Sequence, residues 1–174
     1  MLAPEVPMSH SVAGEPSSAG RRAAPLTTAV YSAAEWELLT ALPGRVVVAA
    51  ASPGPGRPRS GVAAGLAGLD AVAAGRAFDS DLVRAVVAAI YARHDGAADP
   101  VEHRTDVVDL LATCRAATRV LRRRADPADS AAYRQWVQSA AARVCGVAAG
   151  PRGLPPAPAD RRFLDRLGGA LDLC

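Results

Sequence analysis

Lysine and asparagine are absent from this chain of 174 residues, and isoleucine occurs once, as Ile90. All 20 basic residues are therefore arginines, and alanine is abundant, which indicates a GC-rich genome and not a particular function. The net charge is only +3, and acidic and basic residues are interspersed along the chain, so no sustained positive field is available to a polyanion. Charge alone therefore predicts neither a nucleic-acid partner nor an anionic membrane surface.

Aromatic residues, long apolar runs and paired cysteines are also scarce. Two phenylalanines, three tyrosines and two tryptophans, not interleaved with basic residues, do not form a stacking platform for single-stranded nucleic acid. No window approaches the ~18 apolar residues of a membrane span, and the amino terminus lacks the charged start and apolar run of a secretory signal. The three cysteines form no CxxC pair, which suits a reducing compartment. We expect a cytoplasmic protein of bacterial type.

The common catalytic signatures are missing as well. The chain has no GxSxG, no GxGxxG after a strand and no HExxH, and without lysine it cannot complete a GxxxxGK phosphate loop. Cys114 is predicted on the core face of its helix, whereas Cys145 is predicted to project off the apolar stripe of its own helix. These absences favour a protein that is not an enzyme.

The length suits one compact domain, and breaker-rich segments divide it. Residues 1–28 are rich in Pro, Ala, Gly and Ser with few large apolar side chains, so we predict a disordered leader followed by a single domain over residues 29–174. The clusters "SPGPGRPRSG" and "GPRGLPPAP" predict loops near residues 52–61 and 150–158.

Helical periodicity fills the segments between these loops, and no segment alternates with period two. Ser32 is a candidate N-cap for a first helix that should end at Pro43–Gly44, and "RVVVAAA" over residues 45–51 is ambiguous between helix and strand. We favour helix, because no second β-rich run exists to pair with it. Asp79 or Ser80, Asp99 and Asp126 are candidate N-caps for later helices, the second of which should run from Asp99 to about Arg124. The prediction is an all-α bundle of about six or seven helices.

The stretch "YARHDGAADPVEHRTD", Tyr91 to Asp106, is the nearest approach to a metal site. Its two histidines are predicted to point inward near one corner between two helices, among several carboxylates. The alternative is that Asp95–Gly96 ends one helix and Asp99–Pro100 begins the next, with the histidines as hydrogen-bonded corner residues. If a divalent metal binds, the candidate ligands are His94, Asp95, Asp99, Glu102, His103 and Asp106.

The corner "DGAADPVE" resembles the DG-x-x-x-x-x-E helix corner of the TerB-like tellurite-resistance family, which includes the amino-terminal domain of a membrane-anchored co-chaperone. The resemblance covers Asp95 to Glu102 and implies an all-α fold with acidic residues that bind a metal ion. In the family the corner usually occurs twice. Here the corresponding breaker "SPGPGRPRSG" has no carboxylate, and this departure bears on metal binding more than on the fold.

Two surfaces are candidates for contact with a partner. Arg115, Arg119, Arg122 and Arg123 form a stripe on the side of the long helix away from its apolar face, where they could hold phosphates, an acidic helix or only solvent. The helix "GVAAGLAGLDAVAAG", residues 61–75, is lined with small residues and could pack closely against a neighbour. We expect a non-enzymatic accessory or protein-interaction module with an unidentified protein partner, no cofactor and no nucleic acid. A homo-oligomer is left open, and the alternative is a metal-linked stress-response protein using the 94–106 corner.

Overall fold

The computed structural model of the protein describes residues 30–52, 61–94, 106–148 and 156–173; for His94, Val147 and Ala148 it describes the backbone alone. Within these residues every regular element is helical, which confirms the all-α prediction. The six α-helices are α1 (Ala33–Ala51), α2 (Val62–Ala73), α3 (Asp81–His94), α4 (Val107–Arg124), α5 (Pro127–Ala148) and α6 (Pro158–Ala170). A 3₁₀ turn, Ala74–Ala77, extends α2. The predicted leader lies outside the described residues.

Side-chain caps set the starts of three helices where the sequence predicts them. Ser32 and Glu35 form a capping box at the start of α1, in which each side chain accepts the other residue's backbone N–H. Ser80 accepts a backbone N–H in the first turn of α3, and Asp126 does so at the start of α5. These bonds satisfy donors that a helix amino terminus otherwise leaves unpaired.

The first helix does not end where the sequence predicts. It continues through Pro43 and Gly44 to Ala51, so the predicted end is wrong, while the preference for helix over residues 45–51 is confirmed. Proline has no N–H for the carbonyl four residues earlier, which here belongs to Leu39. The hydroxyl of Tyr133 on α5 donates to that carbonyl at 2.7 Å. A tertiary hydrogen bond therefore replaces the one that the proline removes.

The helix that ends at Arg124 begins later than predicted. Its first residue is Val107, and its N-cap is Asp106, whose carboxylate accepts the N–H of Val108 at 2.9 Å. The predicted start at Asp99 is therefore wrong for this helix, because Asp106 caps α4 with the side-chain geometry expected of Asp99. Asp99 itself lies outside the described residues.

Helix α5 is the central element and contacts each of the other five α-helices. Tyr133 and Trp136 are fully buried on it, with ring centroids 5.8 Å apart in an edge-on arrangement. Cys145 is buried too, so its predicted position off the apolar stripe is wrong. A helix that is covered on most sides has no single apolar stripe, which is why projection misplaced this residue.

Small residues of α2 allow its backbone to approach other helices. A Cβ added at Gly68 would lie 2.3 Å from Val47 Cγ1, and one at Gly75 would lie 2.8 Å from the indole of Trp136. That indole donates its N–H to the Ala71 carbonyl at 3.2 Å. The close packing expected of this helix is therefore made inside the chain, against α1 and α5.

The described helices include none that is both long and apolar enough to span a membrane.

Candidate functional site: an apolar face on the first three helices

The residues predicted as metal ligands lie at the edges of, or outside, the described chain. His94 is the last residue of α3, and its side chain is not described, while Asp106 caps α4. Asp95, Asp99, Glu102 and His103 fall between the described segments. In the parts of the chain that the structure describes, no group of three or more His, Cys, Asp or Glu side chains could hold a metal ion. The metal hypothesis therefore stays a prediction.

The four arginines of the predicted stripe are all exposed on α4, but two of them already have carboxylate partners. Arg122 pairs with Asp172, just beyond α6. Arg123 lies 3.4 Å from the carboxylate of Glu35 at the start of α1. These two arginines therefore join α4 to its neighbours, and the carboxyl-terminal part of the stripe has a structural role.

Glu35 both caps α1 and pairs with arginines of α4, and both contacts stabilise its charged form. Its pKa is lowered, first because its carboxylate accepts the backbone N–H of Ser32 and also because the charge of Arg124 lies nearby. Arg115 and Arg119 make no ion pair within the described residues. Within the described part of the chain, this pair is the portion of the stripe that has no structural ion pair.

The thiol of Cys114 is a poor nucleophile in the folded protein. Cys114 is completely buried, and this burial raises the pKa of its thiol to about 12. Because the thiolate is the reactive form, a thiol with this pKa is inert near neutral pH. Cys114 therefore acts as a small core residue.

Large apolar side chains gather instead on the surface of the first three helices. Of the eight large apolar residues exposed in the described segments, five lie on this surface, which we call the apolar face: Val48, Val62, Leu66, Leu69 and Tyr91. Such clustering matters because single exposed apolar residues are ordinary, whereas a contiguous group marks a surface that contacts something else.

One part of the apolar face is a ridge along α2. Val62, Leu66 and Leu69 have 82%, 57% and 63% of their surface exposed. They are spaced four and then three residues apart, so they project from one side of the helix. The opposite side carries Ala64, Gly68 and Ala71, which are buried. This helix thus packs its small residues inward and presents its large ones to solvent.

Beside this ridge lies a groove of about 420 Å³ between α2 and α3, with α1 as its floor. Ala41, Gly44 and Val47 line the floor, Leu69 lies on the α2 side and Ile90 on the α3 side. A Cβ at Gly44 would meet nothing within 4 Å, so the groove is open where this glycine faces it. The volume and the apolar lining are those of a site that takes apolar side chains or a small apolar ligand.

Charged residues border the groove on the α3 side. Arg93 makes a two-pronged contact with the carboxylate of Glu37. The guanidinium of Arg76 lies over the ring of Tyr91, with its central carbon 4.1 Å from the ring centroid. The apolar groove therefore has a charged border, as is usual for a protein contact surface with an apolar centre and a polar edge.

The ridge residues are not identified from the sequence, because the small residues between them give this helix its most evident pattern. The spacing of Val62, Leu66 and Leu69 nevertheless predicts one apolar side of a helix. What the spacing does not give is which side of α2 faces the core. Alanine and glycine allow the closer approach, and here they face inward.

No protein-family model matches the chain, and no curated protein or solved structure matches it either.

Proposed function

We propose that the protein is a non-enzymatic protein-interaction module whose contact surface is the apolar face on α1, α2 and α3. The observation that carries this proposal is the exposure of Leu66 and Leu69 beside an apolar groove with a charged border. Leaving such side chains in water forgoes the free energy that their burial would contribute, about 25 cal/mol per Å² of apolar surface. A partner that covers them recovers it.

Burial of chemistry-bearing groups supports a role without catalysis. Within the described chain the thiols of Cys114 and Cys145 lie in the core. Polar side chains at the starts of α1 and α5 are engaged in caps, those of Ser32 and Asp126. Unlike these groups, the large side chains of the apolar face are exposed.

The arginine stripe is a second candidate contact surface, but it is limited to Arg115 and Arg119. Replacing Arg122 would also break its pair with Asp172, so a loss of binding in that variant would not identify a contact surface. Arg115→Glu with Arg119→Glu changes only the two arginines that make no ion pair in the described residues. Partner binding that survives this double change would show that Arg115 and Arg119 are not required for it.

Site-specific photo-crosslinking in cells tests the main proposal. A photoreactive amino acid replaces Leu66, and the matched control places it at Val108, which is 64% exposed on α4, outside the apolar face. We expect a discrete protein adduct from position 66 and none from position 108. Equal or absent crosslinking at the two positions would contradict an interaction through this face.

A further inference from the structure

Resting on the proposed function, we propose that the occupant of the apolar face is a second copy of this chain, docked about a twofold axis. Each copy places the α2 ridge in the other's groove. The proposal follows from three features of the described residues: the spacing of the ridge, its position next to a groove, and the signs of the charges beside each.

The ridge has the spacing of a helix-packing seam. Val62, Leu66 and Leu69 correspond to d, a and d positions of a heptad, and Ala73 follows at the next a position. Gly65 lies on the outer side of the same helix, and a Cβ there would meet nothing within 4 Å. Another helix could therefore approach this side of α2 closely.

Ridge and groove occur together on one face of one chain, with Leu69 belonging to both. A twofold contact uses the same surface patch on both copies, so the patch must carry both the projecting and the receiving part. The open space at Gly44 and the apolar lining beside Val47 provide the receiving part. The exposed leucines provide the projecting part.

The charges are complementary under the same symmetry. Asp70 follows Leu69 in α2 and is exposed, while Arg76 lies over Tyr91 at the border of the groove. Among the described residues Asp70 and Arg76 make no ion pair. When the ridge of one copy enters the groove of the other, Asp70 faces the partner's Arg76, and the twofold axis repeats the contact.

Mass measurement across protein concentrations tests this proposal with the full chain. For the wild type we expect twice the monomer mass by light scattering, and dissociation on dilution. Leu66→Glu with Leu69→Glu should raise the dimer dissociation constant by roughly a hundredfold or more, because an apolar contact becomes a buried charge. Val108→Glu is the matched control and should leave the mass unchanged. Thermal melting of each variant under monomeric conditions checks that the fold survives these exposed changes.

A charge exchange distinguishes this contact from general stickiness. Asp70→Arg and Arg76→Glu should each weaken the dimer, since each brings like charges together across the interface, and the double variant should restore it.

Several outcomes would overturn the second-copy proposal: a monomeric wild type, a dimer that the ridge variant leaves intact, or a charge exchange that does not restore association. A monomer that crosslinks from position 66 to a different protein overturns the second copy but leaves the proposed interaction module standing. If native mass spectrometry showed a monomer with a bound small molecule, the second-copy proposal would be wrong and the groove would be a ligand pocket. A monomer with no adduct at position 66 contradicts both proposals.

Discussion

Tyr133 combines complete burial with a hydrogen bond to a backbone carbonyl of another helix, that of Leu39. The carbonyl is available because Pro43, four residues later, has no N–H. Proline in a helix interior costs about 3 kcal/mol relative to alanine, and an unpaired buried carbonyl would add to that cost. The tyrosine and the proline are therefore coupled, although they lie on different helices.

The coupling can be measured with a double-mutant cycle. Tyr133→Phe should lower the free energy of unfolding by about 1–3 kcal/mol, because the Leu39 carbonyl stays buried without a donor. With Pro43→Ala in place, the new N–H reaches that carbonyl, so Tyr133→Phe should cost clearly less. Urea unfolding of the four proteins gives the coupling energy. If Tyr133→Phe lowered the free energy of unfolding equally with Pro43 and with Ala at that position, the hydrogen bond of Tyr133 would not compensate for the proline. Tyr91→Phe on the exposed end of α3 is the control.

Buried Cys114 predicts sensitivity to alkali. Its pKa is 9.0 in an ordinary setting and about 12 in the folded protein, because burial disfavours the thiolate. The unfolded chain therefore releases its proton first as pH rises. The resulting stability is fully present below pH 9 and is lost as pH rises toward 12.

Melting temperature measured against pH should fall over this range and fall less steeply in Cys114→Ala. Parallel curves for the two proteins would contradict the assignment. Burial also raises the pKa of Tyr133, so some alkaline loss should persist in the variant.

At the scale of elements, the end of α6 shows how a helix terminus is held by its neighbours. Asp172 has a left-handed backbone, with φ of 59°. Leu173 N–H bonds to the Gly168 carbonyl and Asp172 N–H to that of Gly169, which is the Schellman pattern. Arg134 of α5 donates to the Asp172 carbonyl at 2.8 Å, and Arg122 pairs with its carboxylate. Two helices thus hold a residue in a conformation that non-glycine residues seldom adopt.

Substitutions at Asp172 should separate backbone from charge. Asp172→Asn keeps a side chain that tolerates the left-handed region but removes the ion pairs, and a half-exposed pair contributes about 0–1 kcal/mol. Asp172→Ala removes the ion pairs and also the side chain that tolerates the left-handed conformation. It should therefore lower the free energy of unfolding by roughly 1–2 kcal/mol more than Asp172→Asn does. Chemical denaturation ranks the three proteins. If Ala proved no worse than Asn, the left-handed conformation would carry no cost at this position.

At the scale of the whole molecule, the central position of α5 accounts for which side of each surrounding helix is buried. Helices that pack on it bury one side and expose the other, and on α2 the exposed side keeps Leu66 and Leu69. Covering this remaining apolar surface requires something outside the described chain. The apolar face is therefore a property of the assembled bundle, although its residues belong to separate helices.

The metal hypothesis makes a separate prediction at this scale. If His94, His103 and the neighbouring carboxylates form a site, protein purified without a histidine tag should contain a divalent metal. Added Zn²⁺ or Ca²⁺ should then raise its melting temperature, because a ligand that binds the folded state stabilises it. His103→Ala should remove the shift, and Leu66→Glu should not. Metal-free protein with an unchanged melting temperature would end the hypothesis.

The helical class, most helix starts and much of the core can be predicted from local patterns in the sequence. Caps such as Ser32, Ser80 and Asp126 are local devices, and apolar spacing on a helix is a local pattern, so both can be read without knowing what packs where. The buried position of Cys114 follows from the same spacing.

Other features depend on contacts between helices that are distant in sequence. α1 passes through Pro43 because Tyr133, distant in sequence, supplies the missing donor, and Cys145 is buried because neighbouring helices surround α5. The choice of inner face on α2 also depended on its neighbours, since Gly68 fits against Val47 where a larger residue would not. The groove exists only once three helices have come together. Periodicity describes one helix at a time, whereas these features arise from the contacts between helices.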